Sequence, residues 1–108
     1  MSATHDDLAR LIRLFLSEIG ALSIHVETPG LLYDKNGRPV KIGKKGRLDI
    51  CACVKGRFVS IDAKIGRDNL KPDQIKFANA VIAAGGIAFP AWSVEDVRNR
   101  LRIEGLLA

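Results

Sequence analysis

Between Asp7 and Ile19 the apolar residues Leu8, Leu11, Ile12, Phe15, Leu16 and Ile19 recur at helical spacing, which predicts a helix with one apolar stripe. Asp6 and Asp7 fall in its first turn, where acids complement the helix dipole, and Gly20 is a natural stop. The period then changes. Leu22, Ile24 and Val26 alternate with Ser23, His25 and Glu27, predicting a strand over 21–27 that Thr28-Pro29-Gly30 ends. Two further apolar stretches, residues 48–54 and 58–65, flank Lys55-Gly56-Arg57 and read as a β-hairpin. Pro72 and Asp73 suit the first turn of a second helix that runs through Ile75, Phe77, Ala78, Val81 and Ile82 to Gly85-Gly86. Residues 87–92 form a short apolar strand, on which Phe89 and Trp92 read as core. Ser93-Val94-Glu95-Asp96 has capping-box spacing and opens a last helix with Val97, Leu101 and Ile103 on its apolar side.

The order helix, strand, strand, strand, helix, strand, helix gives an α/β fold. The hairpin is antiparallel, whereas the third strand reaches the fourth through a helix, which implies a right-handed parallel crossover. A mixed sheet of about four strands flanked by helices follows. The 108 residues suffice for one domain with a modest core of its own, spanning 1–108.

Composition narrows the partners. No apolar run approaches the ~20 residues needed to span a bilayer, and no basic-then-apolar signal region opens the chain. With Cys51 and Cys53 as same-face neighbours on a strand rather than a disulfide pair, a reducing cytoplasm is expected. The net charge of +5 favours polyanions, nucleic acid first. The charge is concentrated: Lys35, Arg38, Lys41, Lys44, Lys45 and Arg47 stand against Asp34 alone, interspersed with Gly37, Pro39, Gly43 and Gly46. This stretch reads as a flexible basic loop leading to Asp49, either a solvated charged loop or, given the paired carboxylates beside it, a phosphate-binding one.

The hairpin carries the chemistry. If its turn centres on Lys55-Gly56, Val54 faces Arg57 and Asp49 lies opposite Asp62; a three-residue loop over 55–57 would instead set Asp49 against Ala63. Directly opposed like charges destabilise a sheet, and apolar neighbours raise the cost of burying them. A divalent cation reverses the sign of that penalty. Ser60, Asp62 and Lys64 share one strand face, so Asp62-Ala63-Lys64 presents a carboxylate and an ammonium on the same side. The bland alternative is two solvated strand-end carboxylates and a weak ion pair.

Other motifs fail. Gly37 to Lys45 has the wrong glycine spacing for a P-loop, lacks its Ser or Thr, and precedes a strand. His5 and His25 lack zinc spacing with each other or with the cysteines, which read as small buried hydrophobes.

Taken together, Gly46-Arg47-Leu48-Asp49, Asp62-Ala63-Lys64 and Gln74, followed by Gly85-Gly86 and a strand, resemble the VRR-NUC family of the PD-(D/E)XK nuclease superfamily, over nearly the whole chain. The resemblance implies a restriction-endonuclease-like core and a Mg²⁺- or Mn²⁺-dependent phosphodiesterase. It implies that Asp49, Asp62 and the carbonyl of Ala63 ligate metal, that Lys64 positions or activates water, and that Gln74 orients the site or contacts the phosphate. The family's first-helix acid falls on Asp7, with Asp6 as fallback. Both Asp7 and Asp62 are shorter than the Glu common in the family. Small standalone members look like phage-type homodimers acting on branched DNA, which implies a four-way (Holliday) junction resolvase. A flap or nicking endonuclease of the same fold, and a catalytically idle nucleic-acid-binding module, are the alternatives. The apolar stripe of the first helix and Leu106-Leu107 are candidate dimer contacts, with core packing the default for the stripe.

Overall fold

A computed structural model describes residues 4–24, 30–33, 35–42 and 46–108. The first helix, α1 (His5–Glu18), starts at Thr4, whose hydroxyl accepts the N–H of Asp7 while the Asp7 carboxylate accepts the N–H of Thr4. Two donors that would otherwise be orphaned are satisfied reciprocally. A short strand, β1 (Leu22–Ile24), follows, then β2 (Gly30–Tyr33) and β3 (Pro39–Ile42). The hairpin comes next as β4 (Ile50–Val54) and β5 (Arg57–Ala63), then α2 (Pro72–Ala83), β6 (Ile87–Ala91) and α3 (Val94–Ile103).

The main sheet has the order β1-β4-β5-β6. β1 and β5 pair antiparallel with β4, and β6 pairs parallel with β5. The result is the four-strand mixed α/β sheet flanked by three helices that the sequence pattern implies. Among the described residues no helix is long and apolar enough to cross a membrane.

One prediction needs correction. The stretch between β1 and β4, read as a flexible loop, contains the two-stranded ribbon β2–β3, in register from Gly30↔Ile42 to Tyr33↔Pro39. The signal for it was present in Asn36-Gly37, an abundant hairpin-turn pair, and Gly37 takes a positive φ of 77°. Glycine, proline and lysine density masked that signal.

The two sheet faces are unequal. On one, α1 and α3 cover Ile50, Ala52, Val54, Val59, Ile61, Ile87 and Phe89 and form the principal core with Ile12, Phe15, Leu16, Val97 and Leu101. Leu106 belongs to that core and Leu107 packs against it, so both are used within the chain. On the other face α2 seals only Leu48, Ala78 and Ala88 as a small second cluster, with Leu70, Phe77 and Val81 against it. Leu11 and Ile103, predicted on apolar stripes, are exposed: Leu11 flanks the buried face of α1, and Ile103, about 200° around α3 from buried Leu101, lies on that helix's outer side.

The β4–β5 turn is the tight one: Val54 pairs with Arg57, and Lys55 and Gly56 have φ of 49° and 82°. Two successive positive φ values define a type I′ turn, which favours Asn over Lys at its first central position. Lys55→Asn is therefore expected to stabilise the fold by a few tenths to about 1 kcal/mol, seen as a higher urea midpoint. An unchanged or lower midpoint would contradict this account of the turn.

Candidate active site

The tight turn fixes the register at the far end of the hairpin. Ile50 pairs with Ile61, so Asp49 and Asp62 follow as the next opposed positions. The backbone N–H of Asp49 donates to Asp62 Oδ1 at 3.0 Å, and that of Ala63 donates to Asp49 Oδ2 at 3.3 Å. The carboxylates thus cross between the strand ends, each tied to the opposite backbone. They differ in environment: Asp62 is only 2% exposed, whereas the Asp49 side chain is 32% exposed.

Lys64 follows Asp62 on the same face and is 4% exposed. Its Nζ lies 2.8 Å from Asp62 Oδ2. Gln74, in the first turn of α2, completes the cluster: its Nε2 donates to Asp62 Oδ2 at 3.4 Å, and its Oε1 accepts from Lys64 Nζ at 3.2 Å. The same Oε1 takes the N–H of Lys71 at 2.9 Å, which anchors the amide to the start of α2. Pro72 just inside that start sets where the helix begins, and hence where Gln74 points. Asp49, Asp62, Ala63, Lys64 and Gln74 are therefore brought together.

Asp62 is under electrostatic tension. Burial pushes its carboxyl pKa up; the Lys64 hydrogen bond and charge and the Asp49 N–H oppose this, while the Asp49 charge adds to the rise. A carboxylate that is buried, and next to another, is stabilised by a bound cation. Its donors are hard oxygens, which suit Mg²⁺ or Mn²⁺. Among the described residues no three His, Cys, Asp or Glu side chains are grouped as metal ligands, so the donors that fit are the Asp49 and Asp62 carboxylates with the Ala63 carbonyl.

Asp7 does not join them. Its oxygens accept from the Thr4 N–H and from Arg10 at 3.3 Å. The hydrogen bonds with the Thr4 backbone and hydroxyl hold its carboxyl below the usual range. The Thr-x-x-Asp spacing of a capping box claims this residue. Asp6 is exposed and interacts weakly with His5, at 3.4 Å. The first helix instead contributes His5, which the sequence argument had set aside: its Nε2 lies 2.7 Å from Asp49 Oδ2. Zinc spacing was the wrong test for it, since it acts as a hydrogen-bond partner of a carboxylate across 44 residues of chain.

The predicted basic residues are spread along the chain before β4. Lys35 and Arg38 are exposed in the β2–β3 connection and Lys41 lies on β3, whereas Lys44 and Lys45 lie outside the described residues. Arg47 is half-buried, and its Nε is enclosed without a hydrogen-bond partner. It follows Gly46, which packs against the start of α2; a Cβ at Gly46 would stand 2.2 Å from the Asp73 carbonyl oxygen.

The two raised groups, His5 and Asp62, set a pH dependence of the same sign, whereas the lowered Asp7 loses its contribution as pH falls from its usual value of 3.8. Burial pulls the His5 pKa down, but hydrogen bonds to Asp49 and Asp6 and the charges of Asp49 and Asp62 outweigh it and raise it. A raised folded-state pKa means that the stability His5 contributes is present below its unfolded value of 6.5 and is lost as pH rises through the folded value. Asp62, also raised, gives stability below 3.8 that is lost as pH climbs. In EDTA the urea midpoint is therefore expected to fall between about pH 5 and 8. His5→Ala should flatten the upper part of that fall; a midpoint that rises with pH would contradict the assignment.

No protein-family model matches the chain, and comparisons with curated proteins and with solved structures likewise found no match.

Proposed function

We propose that this chain is a divalent-metal-dependent endodeoxyribonuclease that selects DNA by structure, acting as a homodimeric four-way junction resolvase. The observation that carries the reading is the crossing of Asp49 and Asp62 at the strand ends, with Lys64 and Gln74 fixed on Asp62. A buried cluster of this composition costs stability, and a site for phosphodiester chemistry explains why it is present. The net charge of +5 and the resemblance to VRR-NUC nucleases support a nucleic-acid substrate.

Asp49, Asp62 and the Ala63 carbonyl would hold the Mg²⁺ or Mn²⁺. When bound, that ion neutralises charge on phosphate oxygens and makes hydroxide available near neutral pH. Lys64 supplies a positive charge where negative charge develops, and burial strengthens its effect. Gln74 keeps the Lys64 ammonium and the Asp62 carboxylate in a fixed mutual orientation. His5 and the Ala63 N–H both hold Oδ2 of Asp49, at 2.7 and 3.3 Å, which would leave Oδ1 to face the ion. Lys35, Arg38, Lys41, Lys44, Lys45 and Arg47 would bind flanking phosphates. A two-fold dimer suits the paired incisions that a symmetric junction requires.

The absence of a third His, Cys, Asp or Glu ligand among the described residues favours one rival, a binding module of this fold that no longer cleaves. Incubating the protein with duplex, flap and four-way DNA in Mg²⁺, Mn²⁺ and EDTA separates the readings. Paired, symmetric, EDTA-sensitive incision of the junction is expected. Flap or nick cutting alone would move the substrate assignment within the same enzyme class. Binding without cleavage in either metal would establish the rival.

A further inference from the structure

Trp92 is the sole tryptophan of the chain and, contrary to the sequence prediction, is not a core residue. Phe89 is buried as predicted, but Trp92 is 39% exposed and belongs to neither apolar cluster. The reason is local. β6 ends at Ala91, and Ser93 already caps α3, so residue 92 falls just beyond the covered part of the sheet. Its backbone is nevertheless held: the Trp92 N–H donates to Asp96 Oδ2 at 2.9 Å. Asp96 is the residue whose spacing suggested a reciprocal capping box. Its N–H does reach Ser93 Oγ at 3.1 Å, but its carboxylate is spent on fixing Trp92.

The position is next to the cluster described above. β5 and β6 are paired in parallel up to Ala63↔Ala91, and one further residue along that register sets Trp92 beside Lys64. The ladder does continue, since the Lys64 N–H donates to the Ala91 carbonyl at 2.9 Å. A large aromatic residue, partly open to solvent and seated on a fixed backbone, therefore occupies the strand position next to that of Lys64, whose ammonium is buried. An exposed indole costs solvation without contributing to the core, whereas a nucleobase lifted out of its stack finds a π-face there.

We propose that Trp92 is a stacking platform for an unpaired nucleobase adjoining the phosphate at Lys64. This rests on the nuclease reading and deepens it: the residue distinguishes branched or single-stranded DNA, in which bases can be unstacked, from continuous duplex. Lys64 fixes where the backbone sits and Trp92 reads whether the neighbouring base is free.

Because there is one tryptophan, its emission reports on this position alone. Wild-type protein in EDTA, which prevents cleavage, is titrated with fluorescently labelled oligothymidylate, with a four-way junction, with blunt duplex and with inorganic polyphosphate. Label anisotropy follows binding of the three DNAs, and indole emission follows stacking in all four titrations. Oligothymidylate and the junction are expected to quench the indole on binding, whereas duplex quenches less and base-free polyphosphate does not. Trp92→Leu should weaken oligothymidylate binding roughly five- to 150-fold, and Trp92→Phe, which keeps a π-face, should recover most of it. Binding of oligothymidylate with unchanged emission, equal quenching by duplex or polyphosphate, or equal affinity of Trp92→Leu and wild type would each overturn the inference. Those results leave the nuclease reading standing. Failure of every DNA to bind would overturn both.

Discussion

Asp62→Asn is expected to abolish cleavage and to lower the stability of the fold in the same step. The catalytic loss follows from removing one of the two proposed carboxylate ligands, on the order of 10²–10⁴ in rate. The stability loss follows from what remains. Lys64 is 4% exposed and its ammonium is paired with Asp62 Oδ2 at 2.8 Å. Removing one partner of such a pair leaves a buried charge uncompensated, at a cost of about 3–5 kcal/mol. The two effects are separable with a second substitution. Asp62→Asn together with Lys64→Met removes the stranded charge, so the double variant is expected to regain most of the stability and none of the activity. Urea denaturation in EDTA and a junction-cleavage assay read the two quantities independently. Activity retained in Asp62→Asn would remove the proposed centre, and a double variant less stable than the single one would refute the electrostatic account of the pair.

Gly46→Ala is expected to be nearly as damaging although it deletes no charge. Gly46 holds φ at 79°, and an added Cβ would meet the Asp73 carbonyl oxygen at 2.2 Å. Backbone cannot rotate away as a long side chain can. The left-handed conformation alone costs ~1–2 kcal/mol for an L-residue, and the overlap with the first turn of α2 adds to it. Relief requires the segment carrying Arg47, Leu48 and Asp49 to move off that helix. Leu48 is buried in the second cluster and Asp49 is one of the crossed carboxylates, so stability and metal affinity should fall together. A thermal unfolding curve and a Mn²⁺ titration check this pair of effects. A variant with wild-type values of both would show that the close approach is not needed.

How much of this was legible in the chain depends on whether the signal was local. The hairpin was legible because Lys55-Gly56 sets a turn and the period of two carries the register outward to Asp49 and Asp62. The start of α2 was legible from Pro72, and with it the placement of Gln74. His5 was not, since nothing in a short window says that a helix's first residue meets a strand end. Asp7 was assigned to the metal although Thr4 stands three residues earlier and claims it locally. The β2–β3 ribbon was missed when the charge of the segment outweighed its Asn36-Gly37 turn. Trp92 was misread because burial on a strand was extended one residue past the strand's end. The packing of Leu106 and Leu107 on the principal core was hidden for a related reason: an apolar pair looks unpartnered until the sheet it returns to is known.

The claim on which the rest depends is that Asp49 and Asp62 act as a pair on one cation. Calorimetric titration of Mn²⁺ into the wild-type protein, Asp49→Asn and Asp62→Asn tests it without recourse to any substrate. Saturable binding by the wild type, lost in both variants, is the expected result. A wild type that takes up no Mn²⁺ at millimolar concentration, or variants that bind it as the wild type does, would contradict the account.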